Sequence, residues 1–225
     1  MAVLLPLFPL GHVLLPGSPL PLRVFEERYR QLMQDVAGDG GDRRFGVVAL
    51  SAGLEVRSAL TAGEQEFARI GTVAEIMEAQ LTADGAGALV AVGSQRFRIN
   101  RIIDAGKLYL QADVDYLDEP VGELPDTLPD SARALAIEYA RLLSRLTGVQ
   151  PETEPYPSDP AVLSYRIALE APLDPADRQV LLEQETAAER LHRLVRLLRR
   201  EVVLLRQTRT IAVAPSVLFA ALRAH

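Results

Sequence analysis

Thr72-Val-Ala-Glu-Ile-Met-Glu-Ala-Gln-Leu-Thr-Ala-Asp-Gly-Ala-Gly-Ala-Leu-Val-Ala-Val92 decides the fold of the N-terminal half. Thr72 to Leu81 and Ala88 to Val92 read as two strands joined through Thr82-Ala-Asp-Gly85. Asp84-Gly85 is a hairpin signal because both positions of a tight turn must tolerate positive φ. Downstream, Arg96-Phe-Arg-Ile99 keeps a strand-like alternation, Asp104-Ala-Gly-Lys107 marks a turn, and Tyr109 to Tyr116 alternates again. Upstream, Phe45-Gly-Val-Val-Ala-Leu50 is a buried strand, His12 to Leu15 a short apolar run, and Val3 to Phe8 an opening strand whose Pro6 suits an edge or a bulge. Between them the period changes. Phe25, Tyr29, Leu32, Met33 and Val36 recur at helical steps, with Gly38 where a C-cap belongs. Many short strands and one helix predict a small mixed β-barrel over residues 1–117.

Asp118-Glu-Pro-Val-Gly-Glu-Leu-Pro125 is polar and proline-bearing, so 118–124 is expected to be a linker. Beyond it, 125–206 is rich in Leu, Ala, Arg and Glu at helical spacing. Leu135, Tyr139, Leu142, Leu143 and Leu146 form one stripe, with Asp130 or Ser131 as the expected cap and Gly148 at the end. Ser158-Asp-Pro160 and Asp174-Pro175 open two more helices, and Thr186-Ala-Ala-Glu189 is a capping box for a fourth. In that fourth helix Leu191, Leu194, Val195, Leu198, Val202 and Leu205 share a face, with Arg190, Arg193, Arg196 and Arg200 opposite. Apolar faces of this kind need partners, which predicts a helical bundle. Residues 207–225 read as a separate tail, with a strand over Thr208 to Val213 and a short helix over Pro215 to Leu222. The class is therefore α+β.

Bulk composition excludes several functions. With 48% hydrophobic residues the chain folds without a partner. The net charge is −6, and both parts are acidic: 11 basic against 14 acidic groups over 1–117, and 13 against 16 over 118–225. Neither part has the balance of a polyanion-binding module. There is no cysteine, so disulfides, thiolate nucleophiles and cysteine-bearing metal sites are excluded. The apolar start, Met1 to Leu15, has no basic n-region and is broken by Pro6 and Pro9, unlike a signal peptide. No stretch is long enough to span a bilayer, and a cytoplasmic location is expected.

Catalytic groups are scarce. The three histidines, His12, His192 and His225, lack metal-ligand spacing, and Glu189-Arg-Leu-His192 is one isolated Glu-x-x-His unit. Lys107 is the one lysine and falls in a polar turn, with neither a Walker A loop nor the burial a Ser–Lys dyad requires. No catalytic residue, metal or cofactor is implied. Asp113 with Asp115, and Glu26 with Glu27, are carboxylate pairs without a catalytic partner. Arg96 and Arg98 are expected on one strand face, opposite Phe97 and Ile99, and with Arg101 form a basic cluster. That cluster suits either an anion or RNA contact, or a solvated face that pairs with acids across the sheet.

Several stretches resemble the N-terminal domain of Lon proteases. These are Leu5-Pro-Leu-Phe-Pro-Leu-Gly-His-Val-Leu-Leu-Pro-Gly17, Leu20-Pro-Leu-Arg-Val-Phe-Glu-Glu-Arg-Tyr29, Phe45-Gly-Val-Val48, Gly71-Thr-Val-Ala-Glu-Ile76, Ala83-Asp-Gly85 and Gly93-Ser-Gln-Arg-Phe-Arg-Ile99. In the helical half, Leu163-Ser-Tyr-Arg-Ile-Ala168, Arg178-Gln-Val-Leu-Leu-Glu183 and Arg190-Leu continue it, so the likeness covers residues 3 to 206 in order. The resemblance implies a PUA-like pseudo-β-barrel followed by an α-helical bundle. It also implies recognition of unfolded or tagged polypeptides, in concert with a separate protease or chaperone. The ATPase and Ser–Lys peptidase domains of Lon are not expected within these residues. Binding is expected in a groove between barrel and bundle or on exposed apolar edges, with Arg23, Glu26, Arg28, Arg96 and Arg98 as rim residues. RNA binding by a PUA-like fold, and a small ligand in the interdomain cleft, are the alternatives.

Overall fold

The computed structural model describes residues 3–38, 40–50, 67–148, 154–171 and 173–208. The strand and short helix expected beyond Thr208 lie outside the described residues. The chain divides into two compact units, Met1–Asp118 and Glu119–His225.

The first unit holds β1 (Val3–Leu10), β2 (Pro19–Val24), α1 (Glu27–Ala37), β3 (Arg44–Ala49), β4 (Ile70–Leu81), β5 (Gly87–Ile103) and β6 (Gln111–Tyr116). The sheet runs β2-β5-β4-β3-β1-β6, and β6 pairs back onto β5. β5 makes this closure possible because it is 17 residues long. Its first part pairs with β2, from Val24↔Gly87 to Pro19↔Val92, and its last part with β6, from Phe97↔Tyr116 to Ile103↔Gln111. β1 and β3 run parallel; the other pairings are antiparallel.

Two apolar clusters fill this unit. One gathers Tyr29, Leu32, Met33 and Val36 of α1 against Phe8, Phe45, Ala74, Ile76, Leu89 and Ala91. Phe8 stacks on Tyr29 with ring centroids 3.9 Å apart. The other holds Leu5, Leu7, Val48, Val73, Phe97, Ile99 and Val114. A register shift opposite Val73, where Ser94 and Gln95 intervene between Gly93↔Ala74 and Arg96↔Thr72, lets one strand serve both. The extra residue resets the alternation. Leu89 and Ala91 therefore face the first cluster, whereas Phe97 and Ile99 face the second. Gly71 sits where β4 crosses close to its neighbours. A Cβ there would lie 2.4 Å from the Val47 carbonyl oxygen and 2.7 Å from the Phe97 ring.

Several local features differ from the sequence-based expectation. Phe25 is not on the α1 core face: it precedes the N-cap Glu26 in extended chain and is 75% exposed. Gly38 does end α1, but at φ −70, so its use is not the left-handed turn. Its missing Cβ avoids the Gln34 carbonyl oxygen, which a Cβ would approach to 2.5 Å. The β4–β5 connection is a wider loop than a two-residue turn. Gly85 takes φ 81, while Asp84 keeps negative φ and its Oδ1 accepts from Thr82 Oγ1 and the Ala86 N–H. Val13–Leu15 are buried coil with His12 exposed before them, and the second strand forms from Pro19–Val24 instead.

The second unit is four helices: α2 (Thr127–Thr147), α3 (Pro160–Glu170), α4 (Pro175–Glu183) and α5 (Ala187–Thr208). Asp159 accepts from the Val162 N–H at 2.9 Å and Asp174 from the Asp177 N–H at 2.7 Å, each with proline in the first turn. The capping box closes both ways: Thr186 Oγ1 accepts from the Glu189 N–H, and Glu189 Oε2 accepts from the Thr186 N–H, each at 3.1 Å. α2 begins earlier than Asp130 because Pro129 lies in its first turn, where a missing N–H breaks no helical bond. Its buried stripe is Leu128, Ala132, Ala136 and Tyr139, and Leu146 is exposed. Glu119–Val121 are bonded into this unit: the Ala187 and Ala188 N–H groups donate to the Pro120 and Val121 carbonyls, both at 2.9 Å.

Candidate functional site

The solvent-facing side of β2 and the first part of β5 is largely apolar, and β4 borders it with polar residues. Strand residues alternate between faces, so Leu20, Val24, Leu89, Ala91 and Ile76 go inward to the α1 cluster. Their neighbours point the other way in three cross-strand rows: Pro19–Val92–Glu75, Pro21–Val90–Glu78 and Arg23–Ala88–Gln80. Pro19, Pro21 and Ala88 are exposed, and Val90 is 39% exposed. Cross-strand neighbours stand about 5 Å apart, so these side chains form one continuous surface. Glu75 and Glu78 border it on β4, and Arg23 stands at one corner. Met77, exposed at the register shift between Ile76 and Glu78, adds a flexible apolar side chain. Phe25, immediately after β2, is the most exposed of the large apolar side chains among the described residues.

The backbone edges of this platform are blunted. Ser18 turns its carbonyl to β5, accepting from the Gly93 N–H at 2.9 Å. By alternation the N positions of Pro19 and Pro21 face outward, where proline has no hydrogen to offer. On the β4 side Arg43 donates from Nε and Nη2 to the Ile76 carbonyl at 3.2 and 3.1 Å, and from Nη2 to the Met77 carbonyl at 3.4 Å. Arg43 is held at φ 58, the one non-glycine residue with positive φ among the described residues.

The five rim residues do not form one exposed cluster. Arg23 is exposed on β2, opposite Ala88. Glu26 is the α1 N-cap and accepts from Arg28 Nη2 at 2.6 Å. Arg28 is buried rather than exposed, its guanidinium 4.6 Å from the Tyr29 ring centre. Arg96 is 2% exposed and donates from Nη2 to the Asp118 carbonyl at 3.1 Å. The bulge at Ser94–Gln95 is the reason, since it turns Arg96 away from the solvated face. Arg98 is exposed, but ten residues beyond Ala88 on the same strand, about 30 Å if the strand were straight. Arg101 donates to Asp113 at 3.2 Å, and Asn100 to Asp115 at 3.1 Å, so acids across the sheet answer much of this basic stretch.

Several other titratable groups serve packing or capping. Asp35 accepts from Tyr109 at 2.6 Å and from Lys107 at 3.0 Å. Burial opposes ionisation of Asp35, but those hydrogen bonds hold its carboxyl below the usual range. Burial pushes the Tyr29 hydroxyl up to about 12. Glu189 is used in the capping box, and His192 is exposed on α5. Among the described residues no group of three His, Cys, Asp or Glu is placed to hold a metal, and no helix is long and apolar enough to cross a membrane.

An α+β module of this kind, a closed mixed sheet with one helix and then a helical unit, has known counterparts. The "Lon N-terminal domain protein" from Xanthomonas campestris matches with a TM-score of 0.62 and 28% identity, over 86% of this chain and 98% of that one. The N-terminal domain of Mycobacterium avium complex Lon protease shares the fold with a TM-score of 0.58 at 18% identity, over 88% of this chain and 98% of that one. Lon protease of Escherichia coli K12 is 27% identical over 212 residues, which is 89% of this chain and 25% of that protein. Lon protease 2 of Myxococcus xanthus is 27% identical over 201 residues, 88% of this chain and 24% of that protein. Residues 4–200 match the family model of the ATP-dependent protease La (LON) substrate-binding domain, and the chain belongs to that family. It spans about a quarter of the length of the curated relatives it matches.

Proposed function

We propose that this chain is a polypeptide-recognition module that holds unfolded or tagged segments and performs no chemistry on them. The observation that carries this reading is the match of residues 4–200 to a substrate-binding domain. The exposed apolar platform supports it, because contiguous exposed apolar surface marks a contact site. A sequence without cysteine, whose one lysine is half-exposed and paired with Asp35, offers little for nucleophilic catalysis. Bound chains pass unmodified to a separate protease or chaperone in the cytoplasm. The test is retention of a permanently unfolded model polypeptide on immobilised protein, against its folded counterpart. Selective retention of the unfolded form is expected, with the polypeptide recovered intact. Equal indifference to both forms overturns the reading, as does cleavage that a point mutation abolishes.

A further inference from the structure

The platform has apolar rows, an acidic border and edges short of free backbone partners, and together these restrict what it can hold. We propose that it takes apolar stretches flanked by lysine or arginine, gripped through side chains rather than by addition of a strand; this rests on the polypeptide-binding reading above. Strand addition needs outward N–H and C=O groups in register along an edge. β2 presents proline at two successive outward positions, Pro19 and Pro21, and Arg43 occupies the Ile76 and Met77 carbonyls beside β4. An incoming chain therefore finds its contacts on the face. There Pro19, Pro21, Ala88, Val90 and Val92 offer shape-tolerant apolar area to any leucine- or phenylalanine-rich segment.

The charges at the border decide the flank. Glu75 and Glu78 stand in the rows of Val92 and Val90. Arg44, directly opposite Glu75 across the β3–β4 pair, is bonded to Asp42 instead. A basic residue beside the bound apolar segment meets these carboxylates, whereas an acidic one is repelled. Border charges of this kind act on encounter and selectivity more than on total affinity.

The test uses the full chain and three labelled peptides that share one leucine- and phenylalanine-rich core, flanked by lysines, serines or glutamates. Anisotropy titrations at low salt are expected to rank them lysine, serine, glutamate, with roughly ten-fold between the extremes, the scale of two weak ion pairs made or reversed. Glu75→Lys with Glu78→Lys inverts that order. Val90→Asp weakens all three peptides; Val90→Ser is the milder alternative should the aspartate variant melt early. Alternate backbone N-methylation of the core, which deletes strand-type donors, changes affinity by no more than about two-fold, because no ladder bond is lost. A ranking unmoved by the charge reversal overturns the proposal, as does collapse of binding on N-methylation. Peptide binding indifferent to Val90 also overturns it while leaving the polypeptide-binding reading standing. So does a dimer that Val90→Asp splits without touching peptide affinity. Absence of binding by any peptide or unfolded chain removes both.

Discussion

Each unit buries one arginine completely, one seen on a backbone carbonyl and the other on a carboxylate. Arg96, in the barrel, is 2% exposed and donates to the backbone carbonyl of Asp118 where the chain leaves the sheet. Arg190, in the helical unit, is 0% exposed. It donates to Glu119 Oε2 at 2.6 Å and to Ser164 Oγ at 3.1 Å, with its guanidinium 4.0 Å from the Tyr165 ring centre. Tyr165 donates to the other oxygen of Glu119 at 2.8 Å, so carboxylate, hydroxyls and guanidinium form one network. A carboxylate stripped of its guanidinium keeps a full charge that must find water. Loss of Arg190 therefore leaves a charge behind, which loss of a bond to a carbonyl does not.

That contrast can be broken or sharpened by mutation. Arg190→Met is expected to cost about 3 kcal/mol, the low end for removing one partner of a buried pair, because Glu119 keeps some exposure. Chemical denaturation followed by helical circular dichroism measures it, and a double-mutant cycle with Glu119→Gln isolates the coupling. Arg96→Met is expected to cost less, about 2 kcal/mol, within the range for hydrogen bonds that involve a charged group. An equal or larger cost for Arg96 would show that a stranded carboxylate is not what sets the penalty.

Smaller effects follow at the surface. Thr186→Ala removes one arm of the capping box and should lower stability by about 1 kcal/mol, read from the same denaturation curves. Asp35→Asn is expected to cost about 0.5 kcal/mol at neutral pH, discounted for a carboxyl that is 37% exposed. Because the folded state holds the Asp35 carboxyl below its unfolded value, its contribution is present above the unfolded value and lost as pH falls through the folded one. The gap between wild type and Asp35→Asn should therefore close below about pH 4. Phe25→Ser is expected to leave the melting temperature within error while weakening retention of unfolded polypeptide.

Local signals were legible in the sequence. Asp159-Pro160, Asp174-Pro175 and the Thr186–Glu189 box each satisfy a helix start with atoms three residues apart, so each appears where expected. The β4 and β5 strands are equally visible from their alternation. What stayed hidden depends on distance or on a single inserted residue. The bulge at Ser94–Gln95 has no compositional mark, yet it sends Arg96 inward. Arg190 sits among arginines on a helix expected to show them to solvent, and its partner Glu119 is 71 residues away. Arg193 likewise reaches off its own helix, to Asp177 on α4 at 3.1 Å. No strand is expected from sequence over Pro19–Val24, where proline at alternate positions weakens the strand signal. With β2 missing, the rows of the platform could not be assembled, although Arg23 at its corner was named from sequence.

Those same prolines bear on what happens when many copies are crowded together. The proposed role would bring the protein among sticky, extended segments, including those of its own misfolded copies. An end strand with Pro19 and Pro21 on its outer side is a poor template for copying, since fibril growth requires each layer to donate to the next at every other residue. Replacing both prolines would convert that margin into a seed for self-propagating assembly.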